Sequence, residues 1–369
     1  MDGIIKNKNI FLFGAGRIGE LLYEVCSRYM KISGFVDNDI QKQSTQIKGV
    51  KVYSLDEVLK QNDVYIVITT IHSFLSISEQ LSQRHLKVNK DFCHYKNFFL
   101  YLYNKFDILI QGYVELYITD KCSLKCKKCA LMIPYIPKNK VKDIDVYELK
   151  SSIRDYFNVV DTVVEFRILG GEPFLYKELD ILIKYLGEKF AHQIQGIKIV
   201  SNGTVVPRAS VIKSMSKYDV EVDVSNYPAQ VVGGRQKILL DTLDGNRIRH
   251  KIINQERWID TFGDPMSSSN ASIGELKRLF SACKQECRTL YGRKLYFCSV
   301  DCAAQRNGMI VGDSSDYIDL SDDRAKIRDE IIKFDLGVVP KGYLSFCQNC
   351  NGGVSVNKCY TQVAEQMSE

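Results

Sequence analysis

The sequence predicts an α/β protein in three parts: a parallel sheet at the front, a central partial (β/α)6 barrel, and a small cysteine-rich C-terminal domain. Three observations carry that expectation. Short apolar runs alternate with helical periodicity in the first hundred residues, and a second such alternation runs from about residue 114 to 253. From about residue 270 both patterns give way to short segments with turn residues and seven cysteines. The expected domains are 1–98, 107–268 and 269–369, consistent with 369 residues at roughly 100–200 per domain.

In the front part, Ile10 to Phe13 is a strand that runs into Gly14-Ala15-Gly16-Arg17-Ile18-Gly19, and Leu21, Leu22, Val25 and Cys26 then have helical spacing. Ile32 to Val36 is a second strand ending at Asp37, Leu55 to Leu59 is helix-like, and Asp63 to Ile68 is a third strand. Glycines at this spacing between strand and helix let a backbone approach a diphosphate, and an acid such as Asp37 reaches a ribose. Gly14, Gly16, Arg17, Gly19 and Asp37 are therefore candidate nucleotide-binding residues of a Rossmann-like sheet. The competing expectation is a scaffold with no ligand.

Phe98 to Phe106 lacks Gly, Pro and Ser and is expected to be a buried connector. After it, strands are expected at about 114–119, 163–168, 196–201, 219–224 and 249–253, with helices at about 145–157, 177–190, 208–217 and 235–243. Five or six such units are too few to close an eight-stranded barrel.

Composition narrows the function classes. Hydrophobic residues at 45% and charged residues at 25% exclude a long disordered segment. The net charge of +6 is scattered, which slightly favours an anionic small molecule and argues against nucleic acid. No apolar run reaches the ~18 residues of a membrane helix, and Met1 to Asn9 lacks the apolar core of a signal peptide. A cytoplasmic protein without a membrane partner is the expectation. There, 12 cysteines point to metal or catalysis before disulfides.

Cys122-x3-Cys126-x2-Cys129 follows the first strand of the second part. Three thiolates can hold three irons of a [4Fe–4S] cube and leave the fourth open to a ligand; a zinc knuckle completed from elsewhere is the alternative. This loop resembles that of the radical S-adenosylmethionine (SAM) enzymes, and further motifs match in order. Gly170-Gly171-Glu172-Pro173 resembles the family's GGE motif, Ser201-Asn202-Gly203-Thr204 resembles its ribose or carboxylate contact, and Ser225 ends a strand that often gives a polar SAM contact. The resemblance implies that Cys122, Cys126 and Cys129 hold a SAM-binding [4Fe–4S] cluster and that Gly170, Gly171, Glu172, Ser201, Asn202 and Ser225 bind SAM. All of these motifs end strands, the face where parallel α/β sheets carry their sites. One departure is Lys128, at a position where many members carry an aromatic residue.

Cys283, Cys287, Cys298, Cys302, Cys347, Cys350 and Cys359 exceed the needs of one four-thiolate site. The run from Cys287 through Gly292 to Cys298 resembles the hairpin of SPASM and twitch extensions, which implies an auxiliary [4Fe–4S] cluster on Cys287, Cys298, Cys347 and Cys350, with Cys283 the first substitute. A zinc ribbon is the alternative. Cys26 and Cys93 read as buried core thiols.

Gly34-Phe35-Val36-Asp37-Asn38-Asp39 and Gly49-Val50-Lys51-Val52-Tyr53 resemble the N-terminal domain of bacterial sugar-nucleotide acetyltransferases, implying a uridine diphosphate sugar in the glycine loop instead of NAD. Together the resemblances imply two [4Fe–4S] clusters and SAM as cofactors. They imply an electron donor such as flavodoxin or ferredoxin, and hydrogen abstraction from a nucleotide sugar or glycan precursor leading to epimerisation or dehydrogenation. A radical SAM peptide maturase and an NAD-dependent oxidoreductase with structural metal sites are the competing functions.

Overall fold

The computed structural model describes residues 1–71, 73–263, 270–283, 285–353 and 355–367. The expected domain boundary between 268 and 269 lies outside the described residues. Two compact units emerge, Met1–Ile110 and Gln111–Glu369.

The first unit holds β1 (Asn9–Phe13), β2 (Ile32–Val36), β3 (Gln46–Ile47), β4 (Val50–Tyr53), β5 (Val64–Ile68) and β6 (Phe92–His94), in the spatial order β3-β4-β2-β1-β5-β6. Every pairing is parallel except β3 with β4. The strand order reverses at β1, so the glycine turn after β1 opens at the switch point of the sheet. These strands are nearly continuous apolar runs because helices cover both faces; Phe11, Phe13, Val36, Ile66 and Ile68 are all buried in one cluster. Gly14 has φ +121°, and a Cβ on Gly19 would lie 2.3 Å from the Gly14 carbonyl, so the turn and the helix Arg17–Cys26 touch backbone to backbone.

The expected aromatic connector is in fact a helix, Tyr95–Phe106, closed by Asp107 in the left-handed region at φ 54°. Its buried residues, Tyr95, Phe98, Phe99 and Leu102, fall at i, i+3, i+4 and i+7. Further aromatic residues on its other faces mask that stripe in the sequence.

The second unit contains β7 (Ile110–Tyr117), β8 (Thr162–Leu169), β9 (Ile197–Ser201), β10 (Glu221–Asn226), β11 (His250–Asn254), β12 (Arg257–Ile259), β13 (Cys287–Tyr291), β14 (Lys294–Tyr296), β15 (Tyr317–Asp319) and β16 (Tyr360–Gln362). Eight of them form one sheet in the order β11-β10-β9-β8-β7-β13-β14-β15. Strands β8 to β11 are parallel neighbours, joined by the helices Leu179–Lys189, Ala209–Lys217 and Arg235–Gly245. Helix Val146–Phe157 precedes β8 and starts at Asp145, whose carboxylate accepts from the Tyr147 and Glu148 N–H groups.

The cysteine-rich region continues this sheet. β13 pairs in parallel with β7, then turns at Gly292 (φ 58°) into antiparallel β14. Residues from Cys287 onward therefore belong to the same compact unit as β7 to β11. Separately, β12 and β16 form an antiparallel two-stranded ribbon. Among the described residues no helix is long and apolar enough to cross a membrane.

Candidate active site

The loop after β7 carries Cys122, Cys126 and Cys129, and its shape depends on the end of β8. The Gly171 N–H donates to the Thr119 carbonyl at 2.7 Å and the Glu172 N–H to the Lys121 carbonyl at 2.7 Å. A Cβ on Gly171 would sit 2.1 Å from the Lys121 carbonyl oxygen, and one on Gly170 would sit 2.7 Å from that of Thr119. Only glycine admits this approach of the two backbones. At the end of β9, the Asn202 side-chain amide donates to Ser123 Oγ at 3.2 Å and to Cys122 Sγ at 3.5 Å.

A cavity of about 710 Å³ results. Cys122, Cys126, Cys129, Gly170, Gly171, Ser201, Asn202 and Ser225 line it, and Gln255 with Arg257, Trp258 and Tyr360 of the β12–β16 ribbon form a further wall. Thus eight of the residues expected at a SAM site converge on one space from the ends of four strands. Burial pushes the Cys122 thiol up to about 12 and the Cys126 thiol to about 11, and raises Cys129 as well. Thiols in such a setting ionise when a metal cation joins them, which fits this donor set to iron. Among the described residues, no three His, Cys, Asp or Glu side chains converge as a single metal ion requires. A four-iron cube instead takes its thiolates at separate corners.

Glu172 follows the same glycine pair. It is completely buried, and its carboxylate accepts from Asn202 N at 2.8 Å, Ser201 Oγ at 3.0 Å and Phe174 N at 3.1 Å. Burial pushes it up to about 7 against those donors. Its role in this geometry is to hold the end of β9 against the GGE turn. Lys128, the departure from the family pattern, ties the cysteine loop down: its ammonium donates to the carbonyls of Phe262 at 2.6 Å and Gly263 at 2.9 Å and pairs with Asp260 at 2.9 Å.

The second thiol group differs by one member from the expected set. Cys298, Cys347 and Cys350 each lie within electrostatic reach of Cys283. Cys287 turns elsewhere, because β13 pairs with β7 at Tyr113 and carries the Cys287 thiol to Glu115 and Arg167, whose guanidinium is 3.6 Å from Sγ. Cys283 thus lies nearer these three thiols than the expected Cys287 does. Cys302 is buried on the helix Ser299–Arg306, and Cys359 is exposed. Cys26 and Cys93 are buried in the first unit, each pushed up to about 12 by desolvation.

Asp301, on that same helix, braces the second group: its carboxylate accepts from Phe346 N at 2.8 Å and from Gln305 Nε2 at 2.7 Å. Burial, reinforced by Asp316, pushes it up to about 7. The native state thus favours the protonated form, and Asp301 withdraws stability as pH rises from roughly 4 to about 7. Asp301→Asn is expected to flatten part of the fall in thermal midpoint over that window, leaving the same-signed contribution of Glu172. Parallel pH profiles of the two proteins would refute this.

In the first unit, the Asp37 carboxylate accepts from Ala15 N at 3.0 Å, Asp39 N at 2.9 Å and Lys42 Nζ at 3.1 Å. It closes the glycine loop on itself, alongside Thr69 Oγ1, which donates to the Gly14 carbonyl at 2.8 Å. Gly16 precedes the helix with extended backbone and open space around it, and Gly19 packs on Gly14. Arg17 is the first residue of that helix.

Residues 6–91 match the family model described as C2185-like, N-terminal. The chain is 30% identical over 149 residues to a GTP 3',8-cyclase of Rhizobium leguminosarum bv. trifolii, covering 40% of this chain and 36% of that one. It is 28% identical over 148 residues to a GTP 3',8-cyclase of Lactiplantibacillus plantarum, covering 38% and 42%. The chain spans about two fifths of the length of these relatives. Among solved structures, BtrN in complex with AdoMet and 2-DOIA overlays with TM-score 0.44 at 15% identity, covering 70% of this chain and 99% of that one.

Proposed function

We propose that the chain is a radical SAM iron–sulfur enzyme that abstracts hydrogen from a nucleotide sugar or glycan precursor, as an epimerase or a dehydrogenase. The observation that carries this reading is the convergence of three cysteines, two glycines, Ser201, Asn202 and Ser225 on one cavity. When bound, the cluster supplies the electron that cleaves SAM reductively to methionine and a 5′-deoxyadenosyl radical. The chain's own residues orient and exclude water. Cys122, Cys126 and Cys129 hold the cluster, and the Gly170–Gly171 backbone and Ser201, Asn202 and Ser225 face the bound SAM. Glu172 is the internal brace, and the β12–β16 ribbon walls off solvent. Cys283, Cys298, Cys347 and Cys350 hold an auxiliary cluster in this reading.

Anaerobic reconstitution tests it. About eight irons per chain and release of 5′-deoxyadenosine from SAM are expected; a colourless protein with bound zinc and no SAM turnover would overturn it.

The front unit, read as Rossmann-like, takes the nucleotide diphosphate at Gly14, Gly16, Arg17 and Gly19. Since Asp37 already closes the loop, ribose binding there requires Lys42 to yield it. Gly16→Val is a clean probe, because apart from its chain neighbours no described heavy atom lies within 4 Å of the added Cβ. The variant should fold normally and lose binding of uridine diphosphate sugars by calorimetry at least tenfold, with SAM cleavage intact. Unchanged affinity, or binding of NAD alone, would reject the nucleotide-sugar reading.

A further inference from the structure

The last described segment of the chain crosses the cysteine loop. β16 pairs with β12 through Arg257 to Ile259, and the chain then lays Val363 to Met367 along residues 125–127. Cys126 and Gln366 form an antiparallel bridge, flanked by hydrogen bonds from Lys127 N to the Glu365 carbonyl and from Met367 N to the Lys125 carbonyl, both 2.8 Å. Lys127 and Glu365 add an ion pair at 2.5 Å. Val363 and Ala364 are buried with Leu124 and Cys126, and Cys122, Cys129 and Trp258 pack on the same cluster.

The orientation of Gln366 follows from its partners. Its Oε1 accepts from Lys125 N at 2.8 Å, which turns the amide nitrogen toward Ala364 O at 2.7 Å and Cys126 Sγ at 3.3 Å. The side chain therefore presents an N–H donor to a cysteine sulfur read above as a cluster ligand. Hydrogen bonds to ligating sulfur and exclusion of solvent are two of the levers by which a protein sets a cluster's potential. Both are applied here by one segment, Tyr360 to Met367.

We propose that this segment is a strap that sets the reduction potential of the cluster on Cys122, Cys126 and Cys129, with Gln366 the donor that does so. The inference rests on the reading of those cysteines as cluster ligands. A donor to a thiolate stabilises the reduced cluster, which carries one more negative charge, over the oxidised one. Gln366 is a positioning and tuning residue.

The test is a redox titration of the full-length reconstituted protein, read by electron paramagnetic resonance at the cluster whose signal responds to added SAM. Gln366→Leu removes the donor and keeps the bulk. Gln366→Glu keeps the acceptor for Lys125 N and faces an anionic oxygen to the sulfur. The midpoint should move to more negative potential in both, further in Gln366→Glu, with iron content unchanged. Wild-type midpoints at full iron occupancy would overturn the strap while sparing the enzyme reading. Loss of iron in both variants would also overturn it, leaving a structural clasp only. Absence of any SAM-responsive cluster in the wild type would overturn both readings together.

Discussion

Replacing Cys122, Cys126 and Cys129 together by alanine is expected to remove about four irons per chain and to abolish 5′-deoxyadenosine formation, while the other cluster's absorbance persists. The separation follows from where the thiols sit. The first three follow β7 in the cavity wall, whereas Cys283, Cys298, Cys347 and Cys350 gather around the helix Ser299–Arg306, which packs on β13 and β14. The triple substitution leaves the clamps on the first loop in place. Gly171 N still bonds to Thr119, Lys128 still bonds to Phe262 and Gly263, and the chain's last segment still bonds to Lys125 and Lys127. The fold and the second thiol set should therefore survive. Iron and sulfide analysis with mass-spectrometric detection of 5′-deoxyadenosine decides the matter. Undiminished SAM cleavage in the triple variant would sink the assignment of the first cluster, and loss of all iron would show that the two thiol sets are one site.

The βα repetition was legible because its strands end in glycines, asparagines and cysteines whose spacing has few other uses. Strands β8 to β11 begin and end within about three residues of where the periodicity sets them. The helix Tyr95–Phe106 was hidden by aromatics on its exposed faces, which blur the period that Tyr95, Phe98, Phe99 and Leu102 keep. Cys287 illustrates a second limit. A hairpin with Gly292 at its tip does form, but its pairing runs only from Tyr291 with Lys294 to Thr289 with Tyr296, and the parallel partner β7 takes Cys287. Sequence spacing carries no information about that long-range pairing. Gln366 was illegible for the same reason, since its contact with Cys126 spans 240 positions. Glu172 was readable as a site residue, while its protein partners were readable only from the fold: the buried carboxylate accepts from Ser201 and Asn202 at the end of β9.

Arg306→Met is expected to destabilise the second unit by about 3–5 kcal/mol, the cost of leaving one member of a buried ion pair without the other. Arg306 ends the helix that starts after Cys298, and its side chain and that of Asp120 are each only 6% exposed where they meet. The guanidinium also donates to the Leu131 carbonyl at 3.2 Å and lies 3.8 Å from the Tyr117 ring centre, while Asp120 accepts from Tyr117 Oη at 2.6 Å and Lys142 N at 3.2 Å. Methionine fills the volume but leaves the Asp120 carboxylate desolvated and uncompensated two residues before Cys122. By contrast, the exposed pair Lys237–Asp241 has side chains 79% and 61% accessible, and breaking it should change stability by only about 0.3–0.5 kcal/mol. Arg306→Lys should fall between, since an ammonium keeps the charge but cannot span Asp120 and Leu131 with one planar fork. Adding Asp120→Asn to Arg306→Met should return most of the loss, because the unpaired charge is then gone. Denaturant midpoints of the four proteins measure this. A single-variant loss below about 1 kcal/mol, or a double variant no better than Arg306→Met, would show that the clamp between the helix and the cysteine loop is not electrostatic.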